Sequence, residues 1–344
     1  MSAATRDPKQ RGWRRTMKVA IVGAGMAGLT AAHILDSHGI DVTVFEKSKG
    51  TGGRMSSRSF AGGWIDHGTP YFSAETVGFQ SFLKKFADKK IIEPWAARVN
   101  GPLALDEIVH YISVPRTSAL TRALLADIKF HPSTHISMIE KTDSMWRIYN
   151  DGRTDLGLWD LVILAIPSPQ AVQLLVDQKD LRAKVEGVEM EPCWICALQL
   201  PGPVQHIQDV TVFTDNDIRR VTCNSAKKDR ANQHVYIVQA SAAWSEKHLE
   251  EPPAAIGNQL KQKFLNTFNL NFECDVLFSH RWRYGFTTTP LAQPYLWDEQ
   301  QRLGVCGDWC LGRRVEDAWK SGSELGKTIL SSLKKGGPSC MSTL

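Results

Sequence analysis

Residues 18 to 54 join an apolar strand, a glycine-rich turn, an amphipathic helix, a second strand and a second glycine pair without a break. Few folds accept that order. Lys18 to Val22 reads as a buried strand, and Gly23, Gly25 and Gly28 set out G-x-G-x-x-G within VAIVGAGMAGL. In this pattern the first glycine permits a tight turn, the second lets backbone approach a pyrophosphate, and the third lets the next helix lie on the sheet. A helix is expected from Ala27 to Ser37, with Met26 and Ala27 at its opening and Gly39 as its stop. Its unpaired N–H groups and positive dipole end favour phosphate. The second strand, Asp41 to Phe45, leads into Glu46 and Lys47. Glu46 stands eighteen positions past Gly28, where an acid accepts hydrogen bonds from ribose hydroxyls and repels a 2′-phosphate. These parts predict a dinucleotide-binding βαβ unit.

What separates FAD from NAD is Gly52-Gly53-Arg54, a second flexible turn ending in a guanidinium that adds donors for a dinucleotide phosphate. With Glu46-Lys47, it resembles the two-dinucleotide-binding-motif flavoproteins, the group that contains amine oxidases, phytoene desaturases and renalases. The chain closes with GVCGDWCLGRRVEDAWKSGSELGKTILSSLKK, read as a strand, a loop and a helix from about Val315 to Leu333. Gly307 and Asp308 are expected at the cofactor, Asp308 taking a ribityl or pyrophosphate-linked hydroxyl. Glu316, Asp317 and Ala318 open the helix, whose positive end would face the flavin pyrimidine and stabilise charge there on reduction. No cysteine or histidine stands out as an attachment point, so the FAD is expected to be non-covalent.

At 344 residues, 42% of them hydrophobic, the chain has core for two structural units. Of the net charge of +5, the first sixteen residues hold +4, from five basic residues against Asp7. The body is nearly neutral, which argues against nucleic acid as a partner. Residues 1 to 16 read as a disordered extension, with Met17 an alternative start, and 335 to 344 as a flexible tail. The longest clean apolar run, Leu161 to Ile166, is too short to span a membrane, and Cys340 is misplaced for prenylation. Seven dispersed cysteines suit a reducing compartment, so the cytoplasm is expected. Cys193 and Cys196 match C-x-x-C but lie in CWICALQL, which reads as a buried strand; Cys306 and Cys310 lack a second ligand pair, and no metal site is expected.

Helices are expected at Phe79 to Ala87 and over 115 to 128, the latter capped by Thr117 or Ser118. Strands are expected at His135 to Glu140, Trp146 to Asn150, Leu158 to Ile166, Ile195 to Leu200 and His234 to Ala240, with one helix, Pro253 to Phe268, between 172 and 298. The fold class is α/β: a doubly wound Rossmann-like FAD-binding domain (17 to 75, 130 to 170, 300 to 334) with an inserted mixed-sheet substrate domain (76 to 129, 171 to 299).

Residues 17 to 333 as a whole resemble a bacterial renalase-type flavoprotein. The resemblance rests on VAIVGAGMAGL at 19 to 29, FEKSKGTGGRMSSR at 45 to 58, MEPCWICAL at 190 to 198, HRWRY at 280 to 284 and VCGDWCLGRRVEDAWKSG at 305 to 322. It implies oxidation of the 2- and 6-dihydro isomers of NAD(P)H to NAD(P)+ by hydride transfer to flavin N5, with O2 as the second substrate and hydrogen peroxide as a product. Tyr71, Phe72, Trp194, Trp244, Trp282 and Tyr284 are candidates for the walls of a flat cavity, His67 and His280 for polar handles, and Arg281 and Arg283 for a substrate phosphate. An amine oxidase and a non-catalytic nucleotide-binding scaffold are the alternatives. Oligomeric state is not legible. Deleting residues 1 to 16 is expected to leave flavin content and turnover unchanged, because the extension has too few apolar residues to dock; a loss of either on spectrophotometric assay would reveal a structured arm.

Overall fold

The computed structural model describes residues 17–61, 63–101, 109–230 and 233–335. The extension 1–16 and Cys340 lie outside them. The apolar strand Lys18–Val22 sits inside a six-stranded sheet of order Leu296–Asp298, Leu303–Val305, Leu161–Leu164, Lys18–Val22, Asp41–Phe45, Lys129–His131. All neighbours are parallel except the edge strand Leu296–Asp298. Parallel strands are buried on both faces, which is why VAIV and LVIL are apolar without alternation. The helix Met26–Asp36 and the closing helix Val315–Lys335 cover one face together. Gly322 decides how closely they cross, for a methyl there would stand 2.1 Å from the Ala27 carbonyl oxygen.

The apolar run 158 to 166, expected as one strand, is two. Asp155–Trp159 completes an antiparallel meander with Ile136–Thr142 and Met145–Asn150, whereas Leu161–Leu164 enters the parallel sheet. The break falls at Asp160, whose carboxylate accepts the Lys18 N–H at 2.8 Å. The helix expected over 115 to 128 shrinks to Ala119–Leu125, since Ala126 turns to φ +44° and the Thr117 N–H is spent on Asp66. Among the described residues between 172 and 298 three α-helices lie wholly within the range rather than one, because Lys179–Glu186 and Ala242–Lys247 are too short to show a clear period; Ser241 caps the latter by accepting the Trp244 N–H. Residues 76 to 129, expected with the substrate part, also contribute to the Rossmann side: Phe79, Leu83, Phe86, Leu120 and Leu124 share one buried cluster with Val19 and Leu29.

The second large sheet runs Asp275–Thr289, Glu189–Gln199, Val235–Ala240, Ile218–Cys223, Val210–Val212, Val99–Asn100. Helix Pro253–Thr267 covers one face through Ile256, Leu260 and Phe264, against Cys196, Leu198 and Val238. The other face, carrying Cys193, Ile195 and Ile237, turns toward Ile65 in the hairpin that follows the second glycine turn.

One carboxylate ties these parts together. Asp66, with no exposed side-chain surface, takes Lys227 Nζ at 2.5 Å, Arg230 Nε at 2.8 Å, Ser57 Oγ at 2.7 Å and the Thr117 N–H at 3.0 Å. Burial by itself would raise its pKa, but the two adjoining cations outweigh burial and hold the carboxyl far below its usual range. The Lys227 pKa also moves down, to about 8, chiefly by burial and with Arg230 adding to the shift, because one carboxylate must serve two cations. Replacing Asp66 by Asn should strand both cations without a counter-charge and cost about 3–5 kcal/mol in denaturant unfolding; a loss below about 1 kcal/mol would show the cluster to be incidental. The Asp66 carboxyl is depressed in the fold, so its contribution is complete above about pH 4, its unfolded value, and disappears as the pH falls toward the folded one. The D66N variant should therefore lose less stability than the parent on acidification.

Candidate functional site

The site lies where the parallel strands end. Gly23, Glu46, Ala165 and Asp308 follow the carboxyl ends of four strands, the edge of the sheet at which open α/β proteins bind ligands. Gly23 holds φ +109°, and a methyl on it would meet the Ala165 carbonyl oxygen at 2.4 Å. At Gly28 a methyl would stand 2.2 Å from the Gly23 oxygen. Gly25 differs: a methyl there meets nothing within 4 Å and projects into the cradle before the helix Met26–Asp36. Met26 and Ala27 form the helix's first turn. The cradle's opposite wall is the second glycine turn, bridged to the first at Gly25 and Gly52, with the Gly52 N–H on the Ala24 oxygen at 2.9 Å. A backbone-lined cleft of this shape fits a dinucleotide pyrophosphate.

Glu46 is buried, and its carboxylate accepts the N–H groups of Ala24 at 2.9 Å and Ser48 at 2.8 Å. Each oxygen keeps a lone pair for a ribose hydroxyl. Lys47 beside it is exposed. Arg54, which follows Gly53 and is expected at a dinucleotide phosphate, and Asp308, which follows Gly307 and is expected at a ribityl or pyrophosphate-linked hydroxyl, meet as a two-bond pair at 2.8 and 2.5 Å. The pair spans the sheet from the second glycine turn to the closing strand, so it aligns both halves of the cradle. The Gly307 N–H is fixed by Ser321 Oγ at 3.0 Å.

Glu316 has a different role from the one expected. Its carboxylate accepts the N–H groups of Glu75 and Thr76, both at 2.9 Å, and the Thr76 hydroxyl, so it anchors the start of helix Val77–Ala87. Asp317 accepts the N–H groups of Arg313 and Arg314 ahead of the closing helix. Ala318 remains at that helix's first turn, nearly buried.

The aromatic candidates divide by sheet face. Trp282 pairs across strands with Cys193, on the face toward Ile65, and its indole N–H donates to the His67 oxygen at 2.9 Å. Its ring stacks on His67 at 5.6 Å and meets His280 edge-on at 4.4 Å. Burial lowers the pKa of both imidazoles, His67 to about 3 and His280 to about 4, with Arg58 adding to each shift, so both are neutral near pH 7. Tyr71 sits at the same side, 4.6 Å from the His110 ring. Trp194, Trp244 and Phe72 are not wall residues: Trp194 and Trp244 fill the core behind the sheet, and Phe72 packs on Phe79 and Tyr111. Tyr284 is partly buried farther along the strand of Trp282. Arg281 and Arg283 both pair with Glu250 at the sheet edge, which leaves neither free for a phosphate. Cys193 and Cys196 are buried strand residues whose thiols burial pushes up to about 12, far from the reactive range. Among the described residues no cluster fits a metal ion, and no helix is long and apolar enough to cross a membrane.

Two features escaped sequence reasoning. Asp66 lies in the breaker DHG, and its partners Lys227 and Arg230 are more than 160 positions away. Arg220, in strand Ile218–Cys223, pairs across strands with Gln239, which pairs with Ile195, which pairs with His280; cross-strand partners share a face. One row on the site-facing side therefore runs from Arg220 to His280.

Residues 21–87 match the NAD(P)-binding Rossmann-like domain family. This chain carries a Rossmann-like dinucleotide-binding domain. Curated relatives include hydroxyneurosporene desaturase of Rubrivivax gelatinosus, 41% identical over 68 residues, 20% of this chain and 13% of the relative. The PreT subunit of NAD-dependent dihydropyrimidine dehydrogenase from Escherichia coli is 29% identical over 134 residues, 39% of this chain and 28% of the relative. The chain spans less than a third of either relative's length. Among solved structures, an oxidoreductase from Methanosarcina mazei superposes with a TM-score of 0.66 at 16% identity over 90% of this chain and all of its own. A protein from Exiguobacterium provisionally named protoporphyrinogen oxidase gives 0.73 at 13% identity over 92% and 99%. These likenesses establish the fold: a mixed α/β architecture in which a Rossmann-like domain joins several mixed sheets.

Two glycines separate binding from folding. Gly25→Val should keep the parent's thermal unfolding midpoint yet abolish flavin retention, because its side chain fills only the cradle. Gly28→Val drives side chain into backbone and should cost about 1–3 kcal/mol or more. Retention of normal flavin content by Gly25→Val, read from absorbance, would refute the assignment of the cradle.

Proposed function

We propose that the protein is an FAD-dependent oxidoreductase that oxidises the 2- and 6-dihydro isomers of NAD(P)H to NAD(P)+. FAD is held without a covalent bond, through the backbone of Gly23, Gly25 and the first turn of helix Met26–Asp36, through Glu46 at the ribose, and between Gly53 and Gly307. When bound, FAD accepts a hydride and passes the electrons to O2, giving hydrogen peroxide. Residues 17–75, 130–170 and 300–334 would form most of the cofactor part and 171–299 the substrate part, with 76–129 shared between them.

The observation that carries this reading is the neutral aromatic group beside the second glycine turn. His67, His280 and Trp282 present flat rings, and the two histidines stay uncharged at neutral pH. A dihydronicotinamide that gives up hydride becomes aromatic without losing a proton, so such a wall need only orient the ring and exclude water. Arg220, a guanidinium on the same sheet face three strand spacings from His280 and with no carboxylate beside it among the described residues, disfavours only amines that carry a second cationic group at that distance.

The test is anaerobic flavin bleaching with pure 4-dihydro-NADH, with its 2- and 6-dihydro isomers, and with a panel of primary and secondary amines. Rapid bleaching is expected with at least one of the two isomers, slow or no bleaching with 4-dihydro-NADH, none with amines, and peroxide once air is admitted. Fast reduction by an amine would move the protein to the amine oxidases, and reduction by 4-dihydro-NADH alone would make it an ordinary NADH oxidase.

A further inference from the structure

Among the described residues Arg220 is a cation with no carboxylate partner. Its Nε is shut off from solvent and bonds to none of them, and its guanidinium carbon stands 5.7 Å from the centre of the Tyr71 ring. Burial lowers its pKa, with Arg219 and Arg313 acting in the same direction and Tyr71 and Cys193 against it; among the described residues none of the groups acting on it is a carboxylate. The adjoining Arg219 is already matched, to Glu191 at 3.1 Å. A guanidinium stays protonated under any condition in which the protein folds, so the charge persists.

Its surroundings are polar and equally unsatisfied. Among the described residues, Gln239, the cross-strand partner of Arg220, has a buried Oε1 with no partner, and His110, against Tyr71, has a buried Nδ1 with none. Burial and then the Arg220 charge lower the pKa of His110, which favours the neutral ring, a donor from one nitrogen. Buried polar atoms are normally paired, and their concentration around one unmatched cation marks a place where a ligand supplies the missing partners.

We infer that Arg220, with Tyr71 and His110 beside it and Arg313 at the rim, forms a subsite for an anionic oxygen group of the substrate, a phosphate or a carboxylate. The group would sit on the site-facing side of the substrate sheet, three strand spacings, roughly 15 Å, from His280. It is therefore remote from the rings that would orient the reacting end. This deepens the proposed function, and rests on it only for what the anion is attached to. Arg220 is thus a specificity residue: it selects substrates that carry an anion at that distance and rejects cationic ones. A phosphate there suits a dinucleotide; a carboxylate would point to an acid.

The experiment is calorimetric titration of the purified, flavin-loaded protein with pyrophosphate, inorganic phosphate and benzoate, using benzamide as the uncharged control, in the parent and in Arg220→Met and Arg220→Lys. At least one anion should bind saturably and benzamide should not. Arg220→Met should weaken that binding at least about tenfold, the loss expected for a charge-assisted hydrogen bond, while Arg220→Lys keeps part of it. Preference for pyrophosphate or phosphate over benzoate identifies a phosphate subsite, and the reverse a carboxylate subsite. Thermal unfolding is the second readout. Because the Arg220 Nε bonds to nothing among the described residues, Arg220→Met should unfold at or above the parent's midpoint, whereas a structural arginine would lower it. Absence of anion binding in the parent, equal binding in parent and Arg220→Met, or a lowered midpoint in Arg220→Met would each overturn the subsite. None of these outcomes depends on which reductant bleaches the flavin, so the subsite and the reaction can fail separately.

Discussion

The contact on which the two halves of the molecule depend is the buried carboxylate of Asp66. It closes the hairpin after the second glycine turn through Ser57, fixes the start of helix Ala119–Leu125 through the Thr117 N–H, and reaches the substrate sheet through Lys227 and Arg230. Arg230 goes on to the Ser113 oxygen, and Asn224 ties the Asp66 N–H to the Trp64 oxygen. An ion cluster of this kind gains little over apolar packing as a whole, but breaking one member is costly, which makes it a device for holding a relative position. The position held is that of the sheet face bearing Trp282, His280 and Arg220 relative to the glycine cradle.

Close approach of backbone is the second constraint. Gly23, Gly28 and Gly322 each face a carbonyl oxygen at a distance no side chain tolerates, which packs the first helix, the first strand and the closing helix into one block. Gly25 belongs to the same motif but to a different physical category, since it faces open space. The motif therefore combines two requirements of fold, at Gly23 and Gly28, with one of ligand access, at Gly25. Arg54 and Asp308 complete the block by joining residues 254 positions apart.

The substrate sheet follows a different logic. Its helix-covered face is filled by Trp194, Cys196, Leu198 and Val238, whereas its other face mixes Ile195 and Ile237 with His280, Gln239 and Arg220. Polar residues at buried positions of a sheet lower stability unless something pairs with them. Their grouping on the side that faces the cradle separates a packing face from a working face.

The local part of this architecture was legible in the sequence. Lys18–Val22, Asp41–Phe45, the glycine turn and the helix between them came from periodicity and from glycines whose spacing is set by backbone geometry, and the structure places each within a residue or two. The buried strand around Cys193 and the long closing helix were legible for the same reason. The split of 155 to 164 into two strands of two sheets was not, because an apolar run has no signal for the single residue, Asp160, at which it changes partner. Nor did aromatic content show which rings face the cradle: Trp194 and Trp282 are alike in sequence, and opposite faces of neighbouring strands set them apart. Glu316 looked like a helix-terminal acid near a cofactor, and only the arrival of Glu75 and Thr76 from another segment gave it a partner. Sequence by itself determined the elements whose energetics are local, namely turns, helix starts and buried strands. Which charge meets which, as at Asp66, and which meets no carboxylate among the described residues, as at Arg220, was decided by tertiary structure alone, because electrostatic pairing depends on distance in space and not on separation along the chain.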